Sequence, residues 1–158
     1  MNLGSWLLWG FVATLAVSIV LDGSQALGLT RMNLPYMMGS IFTPDRDRAR
    51  VYGFFVHFVN GWLFSLLYVL IFESLQQATW WIGATLGMGH ALFVLVVLVP
   101  LMPGFHPRMA SQRHGPSAAR MLEPPGFLAL NYGLPTPVSV FVTHVVFGIV
   151  LGNFYRLA

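Results

Sequence analysis

The sequence has 158 residues, of which none is cysteine or lysine and only 8% are charged. The absence of cysteine excludes disulfide bonds and thiolate metal ligands. A soluble domain carries about a quarter charged residues, so this chain has too few charges to cover a surface that faces water. Because 56% of the residues are hydrophobic, the composition predicts a protein embedded in a lipid bilayer.

Motifs of the common enzyme classes are also absent. The sequence contains no nucleophile elbow, no H-E-x-x-H pair and no phosphate-binding loop. Its two glutamates, Glu73 and Glu123, fall in separate connections, so no catalytic carboxylate pair is apparent. These absences favour a non-enzymatic protein, either a membrane subunit or a binding module.

Four apolar segments approach the length of about 20 residues that a helix needs to cross a bilayer. We predict an all-α fold, an integral membrane four-helix bundle that forms a single transmembrane domain over residues 1–158. The predicted helices are residues 6–23, 51–72, 80–101 and 138–156, and the long loops are residues 24–50 and 102–136. The run Thr43-Pro44-Asp45 predicts that the second helix starts with Thr43 as its cap.

Arginines indicate the orientation of the bundle. Arg31, Arg46, Arg48 and Arg50 lie in the first long loop, and Arg108, Arg113 and Arg120 lie in the second. Positively charged loops stay on the cytoplasmic side, so we predict that both long loops are cytoplasmic and both termini are outside. Arg108, Arg113 and Arg120 are also candidates for binding an anion or a lipid headgroup, although membrane anchoring accounts for them without a ligand.

A spacing that occurs twice is the most informative motif. His57-x3-Gly61-x6-Tyr68 lies in the second apolar segment, and His144-x3-Gly148-x6-Tyr155 lies in the fourth. Over the twenty residues from Val51, seven are identical to their counterparts in the second copy. The repeat predicts two tandem, pseudo-symmetric helical hairpins with both histidines at the same depth.

A histidine inside a membrane span needs compensation, and three interpretations of the pair stay open. In the first, each imidazole makes a structural hydrogen bond to a neighbouring helix. In the second, His57 and His144 are axial ligands of haem b, with Gly61 and Gly148 making room for the macrocycle. In a variant of this second interpretation, the histidines bind a transition metal, with His90 and Met88 as further ligands.

The third interpretation is transport of a small solute or of protons. Thr14, Ser18 and Asp22 recur every four residues on the first helix, and with the histidines they would form a polar path. Four helices make a small conduit, so this interpretation requires oligomerisation. A homo-oligomer or a larger membrane complex is compatible with the apolar surface. The net charge of +3 suits anionic lipid headgroups better than nucleic acid.

The chain resembles a family of short bacterial membrane proteins with four spans, which is described only as a domain of unknown function. The resemblance rests on Gly61-Trp62-Leu63, on the H-x3-G motif in the second and fourth helices, and on the run from Gly148 to Tyr155. It implies a location in the bacterial inner membrane, and it supplies no activity, substrate or catalytic residue.

Overall fold

The structure is a computed structural model that describes all 158 residues. Its helices are α1 (Leu3–Ala26), α2 (Leu34–Gly39), α3 (Arg46–Leu75), α4 (Trp80–Phe105) and α5 (Thr136–Phe154). A short 3-10 segment, Phe127–Tyr132, precedes α5. No β-strand is formed, which confirms the prediction of an all-α fold. The four long helices are long and apolar enough to cross a membrane.

The third long helix begins at the predicted residue, Trp80, and the other ends of the long helices differ from the predicted ones by two to five residues. The predicted cap of the second helix is wrong, because α3 begins after Asp45, whose carboxylate accepts a hydrogen bond from the Arg48 N–H at 2.8 Å. Thr43 instead accepts a hydrogen bond from the N–H of Asp45. At the other end of the chain, α5 stops at Phe154 because Tyr155 has an extended backbone.

Helix α4 contains one widened turn. Residues Val94–Leu98 form a π-helical turn, in which the Val99 N–H bonds the carbonyl of Val94. Pro100 follows directly and has no N–H to donate to the turn before it. The missing donor gives a physical reason for the wider turn, and turns of this type are frequent at functional sites.

The four long helices pack in the spatial order α3, α1, α5, α4. The closest approach joins α4 and α5, where Gly83 lies directly against the backbone of Gly148, and Gly87 lies against the carbonyl of His144. Gly152 extends the same contact to Thr79. The spacing Gly83-x3-Gly87 is one that permits close contact between helices.

Helices α1 and α3 are joined by a glycine contact and by indole hydrogen bonds. Gly61 lies against the side chain of Thr14. The Trp6 Nε1–H donates to Ser65 Oγ at 2.9 Å, and the Trp62 Nε1–H donates to the carbonyl of Leu7 at 3.1 Å. By contrast, the backbones of α3 and α4 do not pack closely, although a short turn connects them.

The short helix α2 closes one end of the bundle, which we call the loop end because both long connections lie there. Gly39 of α2 packs directly against the backbone of Ala49 and Gly53 in α3. The second long connection folds over α2, since the Arg108 guanidinium donates to the carbonyls of Ser40 and Ile41. Helix α2 is therefore held from both sides.

Candidate functional site

A cavity of about 150 Å³ lies between α3 and α4, with α1 and α5 as its other walls and α2 as its roof. We call it the histidine chamber. Its polar lining consists of Thr14, His57, Asn60, His90 and His144, and its apolar lining includes Met37, Phe64, Val94, Leu98, Val140 and Phe147. The structure thus brings all three histidines of the long helices to one cavity. No aspartate, glutamate or arginine lines it.

The ring of His144 is oriented by its own helix. Its Nδ1 lies 2.7 Å from the carbonyl oxygen of Val140. A carbonyl only accepts hydrogen bonds, so Nδ1 carries the hydrogen and donates it. In the uncharged imidazole the other nitrogen, Nε2, is then a free acceptor, and no hydrogen bond within the protein uses it. His144 therefore presents a lone pair whose position is fixed by the backbone.

His90 is held by aromatic neighbours from α3. Its ring stacks on Phe64, with centroids 4.2 Å apart, and its Nδ1 lies 3.1 Å from the Tyr68 hydroxyl. The ring of His144 approaches it edge to face, with centroids 4.5 Å apart. Stacking and hydrogen bonding together fix the His90 ring, and Phe64 also lines the chamber beside it.

His57 differs from the other two histidines because its Nε2 is buried and has no hydrogen-bond partner. The only other buried side-chain polar atom without a partner is the Thr79 hydroxyl, at the opposite end of the bundle. A buried polar group without a partner costs about 1–3 kcal/mol of stability. The wall of the chamber therefore includes a histidine whose buried Nε2 makes no hydrogen bond.

The repeated glycines lie at contacts between helices. Gly61 packs on Thr14, and Gly148 packs on the backbone of Gly83. Each glycine packs against a neighbouring helix, and Gly148 does not line the chamber. Neighbouring helices therefore lie against both glycines, and the haem site that the sequence suggested stays a prediction.

The three histidines of the chamber are not part of a cluster of three or more metal-ligating side chains. No three histidine, aspartate or glutamate side chains lie close enough together to hold a metal ion. His57, His90 and His144 share the chamber, but they approach it from three helices. Met88, the further predicted ligand, is 39% exposed and lies outside the chamber. A chamber of about 150 Å³ is also far smaller than a haem.

Two residues of the predicted polar path along α1 bond to their own helix. The Thr14 hydroxyl donates to the carbonyl of Gly10 at 2.7 Å, and the Ser18 hydroxyl donates to the carbonyl of Thr14 at 3.0 Å. Of the three path residues only Thr14 lines the chamber, whereas Asp22 is exposed. Both hydroxyls are thus hydrogen-bonded to carbonyls of their own helix, and the transport interpretation stays a prediction.

The three loop arginines do not act as a group. Arg108 is half-buried and donates to carbonyls at the end of α2. Positive charge there is favourable, because the last carbonyls of a helix carry partial negative charge. Arg113 is exposed, and the side chain of Arg120 makes no hydrogen bond or ion pair. A shared site for an anion or lipid headgroup is therefore not formed by these side chains.

Sequence reasoning missed Asn60, which lines the chamber beside His57. The signal was present, because Asn60 follows His57 by three residues and so falls on the same face of the helix. The methionines of the chamber roof, Met32, Met37 and Met38, could not be found in this way. They reach the chamber only because the first long connection folds back over the bundle.

Tyr68 and Tyr155, the last residues of the two repeated motifs, have different partners. Tyr68 contacts His90 in the chamber, whereas the Tyr155 hydroxyl donates to the carboxylate of Glu73 at 2.6 Å. The two tyrosine hydroxyls thus have different places: that of Tyr68 contacts a histidine of the chamber, and that of Tyr155 makes a contact between helix ends. Comparison of the chain with protein families, with curated proteins and with solved structures finds no match.

Proposed function

We propose that the chain is an integral protein of the bacterial inner membrane and that its histidine chamber binds a small uncharged ligand. Many large apolar side chains on the outer faces of the four long helices are exposed, among them Ile19, Leu63, Leu92 and Val138. Soluble proteins rarely expose contiguous apolar patches of more than a few hundred Å². Contact with lipid would remove this surface from water, as would contact with other subunits of a complex.

The observation that supports binding is the combination of empty volume and unused hydrogen-bonding capacity in one place. The chamber has a volume of about 150 Å³, the buried Nε2 of His57 has no partner, and Nε2 of His144 is a free acceptor. Cavities are usually few, and buried polar atoms usually have partners. The cavity and the buried polar atom without a partner occur in the same part of the molecule, which favours a binding site over a packing defect.

The absence of ionised residues from the lining limits the ligand to an uncharged molecule. A charge placed there would lose its hydration without gaining an opposite charge. A non-enzymatic role as a binding module or as the ligand-carrying subunit of a membrane complex follows most directly, because the chamber contains no carboxylate, cysteine or hydroxyl free to act as a nucleophile.

The test compares two substitutions in the same π-helical turn. Val94 lines the chamber, whereas Val97 is exposed on the outer face. Benzene suits a cavity of this size and should raise the melting temperature of the purified wild-type protein, because a ligand that binds only the folded state stabilises it. Val94→Phe fills the chamber and should abolish the increase.

Val97→Phe adds the same volume outside the chamber and should respond to benzene as the wild type does. An equal increase in Val94→Phe would place the binding elsewhere, for example in the detergent-covered surface. If benzene and larger apolar ligands leave the wild-type melting temperature unchanged, the chamber is not a binding site.

A further inference from the structure

The size of the chamber limits the ligand class further, if the proposed binding function holds. A volume of about 150 Å³ equals that of an engineered protein cavity that binds benzene. One six-membered ring therefore fills the histidine chamber, and a fused or larger ring system does not. Phe64 and Phe147 line the chamber, and aromatic side chains pack favourably against an aromatic ligand.

The polar groups of the chamber favour a ring that carries a hydroxyl. Because Nδ1 of His144 donates to Val140, its Nε2 accepts in the uncharged ring and needs a donor from the ligand. Nε2 of His57 has no partner either, and Asn60 adds an amide to the same wall. A purely apolar ring would leave these atoms without hydrogen bonds, whereas a ring hydroxyl would satisfy at least one of them.

The route into the chamber lies between α3 and α4. The backbones of these two helices do not pack closely, and the chamber side chains along the gap, Asn60, Phe64, Val94 and Leu98, are only partly buried. A π-helical turn forms the α4 side of the gap. In a bilayer this gap would open towards the lipid, so a ring with a long apolar tail could enter while its tail stays outside.

We infer that the histidine chamber binds the hydroxylated six-membered ring of a phenol or quinol, with the hydroxyl donating to Nε2 of His144. Two sources offer this chemistry: a free phenol, and the head of a lipid-soluble quinol whose tail leaves between α3 and α4. Both are uncharged, as the lining requires. Binding alone is inferred, with no electron transfer or covalent step.

The experiment is a thermodynamic cycle between two ligands and two proteins. Phenol and toluene have nearly the same shape and differ by a hydroxyl and a methyl group. Affinities of both are measured for the wild type and for His144→Leu in the same detergent, so that partitioning into the micelle cancels. The ratio of phenol affinity to toluene affinity should fall about threefold to tenfold in His144→Leu, the effect of one lost hydrogen bond.

His114→Leu is the matched control, because His114 is exposed in the second long connection. Its ratio should equal that of the wild type. If His144→Leu does not fold, His144→Phe, which keeps an aromatic ring without an acceptor nitrogen, is measured in the same cycle, and the ratio should fall in it. An unchanged ratio in every folded variant overturns the inference.

The outcomes separate this inference from the proposed function. If toluene binds and the ratio is unchanged, the chamber is a binding site without hydroxyl recognition, and only the inference fails. If neither ligand binds the wild type, both fail. 4-Decylphenol, whose ring is no larger than that of phenol, should displace phenol from the wild type; if phenol binds and 4-decylphenol does not displace it, the lipid-soluble source and entry between α3 and α4 are overturned.

Discussion

Gly83 and Gly89 lie six residues apart in α4 and have opposite surroundings. A Cβ added at Gly83 would meet the backbone of Gly148, whereas a Cβ added at Gly89 would meet no atom within 4 Å. Gly83→Ala should therefore separate α4 from α5 and destabilise the protein by about 1–3 kcal/mol, the usual effect of overpacking. Gly89→Ala should stabilise it by about 0.5–1 kcal/mol, because alanine is the better helix former. Thermal unfolding of both variants in detergent measures the difference, and a loss of stability in Gly89→Ala equal to that in Gly83→Ala would contradict the observed packing.

At the scale of elements, α2 is joined to the second long connection through His106. The His106 Nε2–H donates to the carbonyl of Met37 at 2.9 Å, and Nδ1 accepts from the N–H of Arg108 at 3.1 Å. Only the uncharged ring can make both bonds, because a protonated Nδ1 no longer accepts. Burial, opposed by the bond to Met37 and helped by the charge of Arg108, lowers the pKa of His106 below its ordinary value of 6.5.

A lowered histidine pKa means that the unfolded chain takes up the proton first. The contribution of His106 to stability should therefore be complete above about pH 6.5 and decrease as the pH falls below that value. The melting temperature of the wild type should drop more between pH 7 and pH 5 than that of His106→Gln, which does not titrate. His114→Gln, in the same connection, should follow the wild type. A parallel decrease in all three proteins would show that His106 does not control the attachment of α2.

At the scale of the whole molecule, the proposed membrane orientation can be tested directly because the chain contains no cysteine. Gln77 is exposed in the turn between α3 and α4, and Gln112 is exposed in the second long connection. In intact cells whose outer membrane has been made permeable, an impermeant maleimide should label Gln77→Cys and leave Gln112→Cys unlabelled, because arginine-rich loops stay in the cytoplasm. Both should be labelled after the inner membrane is disrupted. The reverse pattern would invert the proposed orientation, and labelling of both before disruption would argue against a membrane barrier between them.

The sequence by itself determined the all-α fold and the four long helices, because uninterrupted apolar segments of this length allow little else. It also identified His57, His90 and His144, since a histidine in an apolar helix stands out by composition alone. Helix ends were less well predicted, because a cap such as Asp45 is selected by local geometry among several residues able to cap. The contact of Gly83 with α5 was foreseeable from the spacing of small residues.

Only the tertiary structure decided what surrounds the histidines. The same H-x3-G spacing leaves His57 without a partner and gives His144 a bond to its own helix, because α3 borders the gap while α5 packs tightly on α4. The chamber exists because α3 and α4, although adjacent in sequence, do not close against each other. Its roof comes from α2, which the second long connection holds in place. A cavity is a property of several helices at once, so no spacing within one helix could have revealed its volume.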